Sequence, residues 1–259
     1  MNQYKHTILA YLKWLPKTFH LHGIHSPFIF KLEKEVLRGK SDPAISQKIN
    51  TYKKALLDNE TSIEVMDYGA GSRVFKSAQR EVKDIARYAG ATHKRVLLLQ
   101  RLMAYFQPKE VLELGTSLGV ATAALAIQNT AHVTTIEGCP NTAAIARKEL
   151  DAANVTNVTL CVGDFNDEIV KHNHKKFEFI YFDGNHSKQA TLDYVSSLLS
   201  TTTDDTVWMF DDIHWSPEMT EAWDIVKKMT EISATIDAFN FGMAFFRPQQ
   251  AKEDFYIRL

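Results

Sequence analysis

From Pro108 onward, short apolar runs alternate with stretches of helical length. Residues 110–114 (EVLEL) predict a strand that stops at Gly115, and 120–128 (VATAALAIQ) an Ala-rich helix. Residues 132–136 are β-branched and end at Glu137-Gly138, and 141–153 read as a helix with Asn141 as its N-cap. A third strand, 158–162, is stopped by Gly163-Asp164, a fourth, 177–182, by Asp183-Gly184, and a fifth, 206–210, by Asp211-Asp212. Helices are predicted over 187–199 and over 217–229, the latter with proline in its first turn. Strands and helices alternating at this spacing predict right-handed βαβ units and a parallel sheet covered on both faces.

The rhythm changes at both ends. Residues 234–239 and 243–247 are β-rich but separated only by Asn240-Phe241-Gly242, too short for a crossover helix. They predict an antiparallel hairpin, so an antiparallel C-terminal strand closes the sheet. The first hundred residues read instead as helices over 4–15, 28–38, 45–57, 80–88 and 94–106, joined by polar connectors. The expected organisation is a helical N-terminal cap over 1–93 and an α/β domain over 94–259. That boundary is soft, because the 94–106 helix should lean on the sheet.

Composition narrows the function. The 259 residues carry 30 basic and 31 acidic side chains, a net charge of -1. Nucleic-acid binding through phosphate neutralisation usually needs a basic surplus, so no nucleic-acid partner is expected. Cys139 and Cys161 are too few for a disulfide framework and fit a reducing compartment. No apolar run is long enough to span a bilayer. The N-terminal run Ile8-Leu9-Ala10-Tyr11-Leu12 is broken at once by Lys13 and Pro16, unlike a secretory signal. A soluble, cytoplasmic protein is expected.

In open parallel sheets ligands bind outside the carboxyl ends of the strands. Here those ends carry Glu113 with Gly115, Thr116, Ser117 and Gly119, then Glu137, Gly138 and Cys139, then Gly163, Asp164 and Phe165, and finally Asp183. Gly115 and Gly119 would let the backbone approach a ligand at a helix N-terminus. Glu137, about 20 residues past the glycine turn, can accept from both hydroxyls of a ribose. Both features also suit NAD. The spacing G-x-x-x-G differs from G-x-G-x-x-G, however, and Glu113 would repel a pyrophosphate. Its carboxylate could instead hold the ammonium of a methionine moiety, directly or through water. Asp164 can accept from an adenine amino group, and Cys139 reads as a small residue lining the crevice. The set favours S-adenosylmethionine as cofactor.

Across roughly residues 94 to 247, VLELGTSLG, TIEG, VGDF, FIYFDGNH and MFDDIHW resemble the successive motifs of class I S-adenosylmethionine-dependent methyltransferases. The nearest branch is the small-molecule O-methyltransferases of catechol and macrocin type. The resemblance implies a Rossmann-like fold and methylation of a small-molecule hydroxyl. GIHSPF (23–28) and DYGAGS (67–72) resemble segments of a bacterial group in the same superfamily. The Asn-Pro-Pro-Tyr motif of base and amide N-methyltransferases is replaced by Asp-Gly-Asn-His, which argues against nucleobases. DYGAGS mimics the glycine turn, but no βαβ unit with an acidic strand end follows it, so a tight loop near the active site is expected. His20, His22 and His25 lack the spacing of a helical ligand pair and read as a polar loop.

Catalysis falls to Asp183, His186, Asp211 and His214, just past the last two strand ends. Either histidine can be a general base or can merely orient a neighbouring aspartate. If those strands are neighbours, Asp183, Asp211 and Asp212 converge, and such a cluster needs a cation, a proton or hydrogen-bond donors. Magnesium (Mg2+) fits three carboxylates and would acidify a bound hydroxyl. In metal-dependent relatives the corresponding triad is Asp followed by Asp-Asn, and Asp212 stands here in place of the Asn. The alternative is that these aspartates cap loops and a histidine acts without metal. The N-terminal cap carries Tyr11, Trp14, Phe19, Phe28 and Phe30, expected to cover the crevice for substrate binding or to form a homodimer. An NAD-dependent oxidoreductase and a non-catalytic nucleoside-binding module are the competing functions.

Overall fold

The computed structural model describes residues 3–18, 23–66, 77–88, 90–128 and 130–259. The N-terminal segment holds α1 (Gln3–Trp14), α2 (Pro27–Leu32), α3 (Pro43–Leu57), the short strands β1 (Ser62–Glu64) and β2 (Gln79–Glu81), and α4 (Val82–Tyr88). Local chemistry sets these starts. Ser26 caps α2 and Asp42 caps α3, each followed by a proline at the first helical position. A wider π turn over Glu33–Leu37 prolongs α2. β1 and β2 pair antiparallel, so Arg80 and Glu81 lie in a strand rather than in the expected helix.

Then follow α5 (His93–Phe106), β3 (Glu110–Leu114), α6 (Val120–Ala126), β4 (His132–Glu137), α7 (Pro140–Ala152) and β5 (Val158–Val162). The chain continues through α8 (Phe165–His172), β6 (Phe179–Phe182), α9 (Lys188–Leu198), β7 (Val207–Asp211), α10 (Pro217–Lys228), β8 (Ala234–Asp237), β9 (Phe241–Phe245) and β10 (Glu253–Tyr256). The eight-stranded sheet has the order β10-β8-β9-β7-β6-β3-β4-β5. β9 runs antiparallel to both β7 and β8, and the other pairings are parallel, as the expected hairpin and crossovers require. β10, an extra edge strand beside β8, and α8 were not legible in the sequence pattern.

Alternate residues of each strand enter two cores. Val111, Val133, Phe179, Tyr181, Val207 and Met209 face one side, packed with Ile49, Tyr52 and Leu56 of α3 and Leu99, Leu102 and Met103 of α5. Leu112, Ile180, Phe182, Trp208 and Phe210 face the other, with Ile169 of α8, Tyr194 of α9 and Trp223 of α10. That two-residue period is why the strands read as nearly continuous apolar runs. The segment before α5 therefore shares a core with the sheet. β3 lies between β4 and β6, so the loops leaving β3 and β6 diverge to opposite sides. This switch point opens a crevice at the carboxyl ends.

Candidate functional site

A cleft occupies that switch point. Its walls are Gly115, Thr116 and Ser117 after β3, Glu137 and Gly138 after β4, Gly163, Asp164 and Phe165 after β5, and Asp183 to His186 after β6. Val65, Met66, Arg80, Ile85, Gly90 and Ala91 of the N-terminal segment close it. Gly115 has φ +106°, and a Cβ there would strike the carbonyl oxygen of Asp183. Only glycine lets the β3 and β6 loops meet. The Glu137 carboxylate bridges two turns, accepting from Ser117 N at 2.7 Å through Oε2 and from Cys139 N at 2.9 Å through Oε1. Asp164 caps α8, accepting from Asn166 N at 2.9 Å, while remaining on the cleft wall. The Phe165 ring lies 5.6 Å from that of Tyr194, whose hydroxyl accepts from Asn185 Nδ2 at 3.2 Å. Arg80 and Tyr194 stand outside the strand-end motifs, and Asn185, inside the Asp-Gly-Asn-His turn, carried no distinguishing signal of its own.

Four expected site residues lie elsewhere. Glu113 is fully buried and does not line the cleft. Its Oε2 accepts from Thr122 and, at 2.6 Å, from Thr135, whose hydroxyl lies 2.6 Å from that of Thr116. Glu113 Oε1 is buried without a partner. Burial pushes the Glu113 carboxyl up to about 7 against these hydrogen bonds, so direct contact with a cleft ligand is replaced by a position behind the glycine turn. Gly119 also faces inward: a Cβ there would come 2.5 Å from the Tyr52 hydroxyl, which donates to Leu118 O at 2.8 Å. Cys139 is buried against the end of β1, its sulfur accepting from Met66 N at 3.4 Å. Only its backbone N–H serves the cleft, through Glu137.

His214 is the fourth. It is buried, with Nε2 3.1 Å from Asp237 Oδ2 and Nδ1 3.1 Å from Thr220 Oγ1, and Trp223 Nε1 donates to the same Asp237 oxygen at 3.0 Å. Both ring nitrogens are engaged and His214 does not line the cleft, so its buried ring is not placed to act as a general base there. His186 lines the cleft.

Beside the cleft lies a second cavity, sharing Gly90, Ala91, Asp183 and His186 with it. Its walls include Asp211, Asp212, Arg95 and an aromatic group of Tyr11 and Trp14 from α1 with Phe239. Trp14 Nε1 is buried without a hydrogen-bond partner there. Phe239 adopts φ +67°, a costly conformation for a bulky side chain. The three aspartates do reach one region, yet Asp211 is already satisfied. Its Oδ1 accepts from Arg95 at 2.5 Å and its Oδ2 from the Tyr181 hydroxyl at 2.8 Å. Arg95 also donates to Asn240 O at 2.9 Å and stacks over Phe241. No local pattern marked Arg95, which lies 116 residues from Asp211. A magnesium ion held by Asp183, Asp211 and Asp212 does not fit this arrangement, because a guanidinium supplies the cation and both Asp211 oxygens are taken. Desolvation pushes the Asp183 carboxyl well above the ordinary carboxylate range, with Asp211, Asp212 and Glu113 adding to the shift and Arg95 opposing it.

His20, His22, Phe19 and the glycine stretch 67–72 lie outside the described residues. Among the described residues no helix is long and apolar enough to cross a membrane.

Residues 112–213 match a family model described as a methyltransferase domain. Among curated proteins there is no match. Among solved structures the chain is similar to an O-methyltransferase from Bacillus cereus in complex with SAH, at 18% identity and a TM-score of 0.56, covering 84% of this chain and 96% of that one. It is also similar to an SAH-bound methyltransferase from Podospora anserina (12% identity, TM-score 0.60, 86% and 97% covered). A third is an O-methyltransferase of tomaymycin synthesis from Streptomyces achromogenes, in complex with SAM (15% identity, TM-score 0.56, 85% and 95% covered). The fold is the Rossmann-like methyltransferase fold.

Proposed function

We propose that this chain, whose central segment is a methyltransferase domain, transfers the methyl group of S-adenosylmethionine to a hydroxyl oxygen of a small molecule. The observation that carries the reading is the convergence of four strand ends on one cleft, with an acidic wall at Glu137 and Asp164 and backbone groups at the β3 turn. That donor set fits the cofactor. Glu137 would accept from the ribose hydroxyls, Asp164 from the adenine amino group, and Phe165 would pack against the adenine. Gly115, Thr116, Ser117, Gly138 and Gly163 would border it through their backbones. The orphaned Oε1 of Glu113 sits behind the turn, where an ammonium bound in front of it would favour its ionised form. Bound there, the cofactor supplies an electrophilic sulfonium methyl open to in-line attack.

The second cavity is the acceptor pocket in this reading. Tyr11, Trp14 and Phe239 hold the acceptor with their aromatic faces. The N-terminal helix thereby contributes to substrate binding. Asp183 and His186, common to both cavities, border the point where hydroxyl and methyl meet. Asp183 orients the hydroxyl, and His186 takes its proton at a ring nitrogen. Arg95 fixes Asp211 and thereby shapes the wall. Holding the two reactants in line supplies the larger part of the rate.

Calorimetric titration with S-adenosylmethionine, S-adenosylhomocysteine and NAD tests the reading. Binding of the first two and not of NAD is expected. Binding of NAD alone would transfer the site to an oxidoreductase, and binding of none would leave a structural relic.

A further inference from the structure

The end of β5 and the face of α8 turned toward it carry three side chains of metal-ligating chemistry that the reaction does not use. Cys161 is the penultimate residue of β5, and Glu168 and His172 lie four apart on α8, on one face of that helix. One ligand atom from each (the Cys161 sulfur, a Glu168 carboxylate oxygen and a His172 ring nitrogen) lies within 4.8 Å of the other two. Among the described residues no other group of histidine, cysteine and acidic side chains comes together so closely. Glu168 is buried and reaches inward because residue 163 is glycine: a Cβ there would lie 2.8 Å from Glu168 Oε1. Cys161 and His172 are half-buried, with the sulfur 3.6 Å from Nε2.

We propose that Cys161, Glu168 and His172 form a binding site for a divalent transition ion of zinc type. One sulfur, one nitrogen and one oxygen suit a borderline-soft ion, whereas magnesium and calcium prefer oxygen alone. Three protein ligands leave one tetrahedral position for water. As the metal–sulfur bond forms, the Cys161 thiol releases its proton to solvent, and the ion's two charges are balanced by thiolate and carboxylate. Lys171, mostly exposed and 2.6 Å from Glu168 Oε1, gives up that oxygen to the ion. His172 offers a ring nitrogen 3.6 Å from the Cys161 sulfur, already turned toward the site. The site lies directly behind Gly163, so an ion would pin β5 to α8 next to the cleft.

Titration of the metal-stripped protein with cobalt(II), followed by thiolate-to-cobalt absorption in the near ultraviolet, tests this, with zinc(II) calorimetry alongside. One equivalent should bind with the thiolate band. Cys161→Ser should abolish the band, and His172→Ala and Glu168→Gln should each weaken zinc binding by at least about tenfold. His174→Ala, two residues along, should bind as the wild type does. Thermal unfolding of each variant shows whether it is folded. No thiolate band in the wild type, a band that persists in Cys161→Ser, or affinity indifferent to both α8 substitutions would overturn the proposal.

Discussion

Replacing Glu113 by glutamine should remove a pH-dependent loss of stability. The wild-type carboxyl is fully buried and titrates at about 7 in the fold, against an ordinary 4.5. Between those values the folded state holds a proton that the unfolded chain has released. Stability from this group is therefore intact below about pH 4.5, declines as pH rises, and is fully lost above about 7. At about 1.36 kcal/mol per unit, the shift amounts to about 3 kcal/mol. Glutamine keeps an acceptor for Thr122 and Thr135 but cannot ionise. Its NH2 group takes up the place of the orphaned oxygen at a cost that does not vary with pH. Urea unfolding of both proteins at about pH 5 and about pH 8 gives the difference between variant and wild type at each. That difference should move in favour of the variant by about 2.5 kcal/mol across the interval, since the loss has already begun at pH 5. A constant difference would mean that Glu113 is ionised in the fold throughout and that its burial carries no pH-dependent cost.

Three further outcomes are expected. His214→Ala should cost about 1–3 kcal/mol of stability by taking one partner from buried Asp237 and one from Thr220, with cofactor affinity unchanged in calorimetry; a lost affinity would return His214 to the site. His186→Ala should lower the rate by about 10²–10⁴ once an acceptor is identified, with cofactor binding and unfolding unaltered; an unchanged rate would exclude it as the base. Exhaustive chelation should leave transfer intact, because Arg95 already neutralises Asp211; activity lost to chelation and restored by magnesium would contradict that.

The strand ends were legible because the inner parallel strands β3, β4, β6 and β7, buried on both faces, are largely apolar runs stopped by glycine or an acid. Glu137, Asp164, Asp183 and the β3 turn could be placed in one crevice on that pattern alone. Direction of individual side chains was not legible. Glu113 and Gly119 flank the glycine turn in sequence, yet one points into the core and the other accommodates Tyr52 of a distant helix. His214 looks like a base until Asp237, on β8, closes the network around it. Arg95 sits in the first turn of α5, where a basic residue reads as solvated, and only tertiary packing brings it to Asp211. β1 and β2 escaped because three-residue strands carry almost no periodicity.

Glu137 is the proposed ribose acceptor, and calorimetry of S-adenosylmethionine binding to wild type and to Glu137→Ala tests it. Loss of a charged acceptor for two hydroxyls should cost about 1.5–3 kcal/mol, a fall in affinity of about 10- to 150-fold, in a variant whose unfolding still shows one cooperative transition. Unchanged affinity would contradict the placement of the cofactor in this cleft.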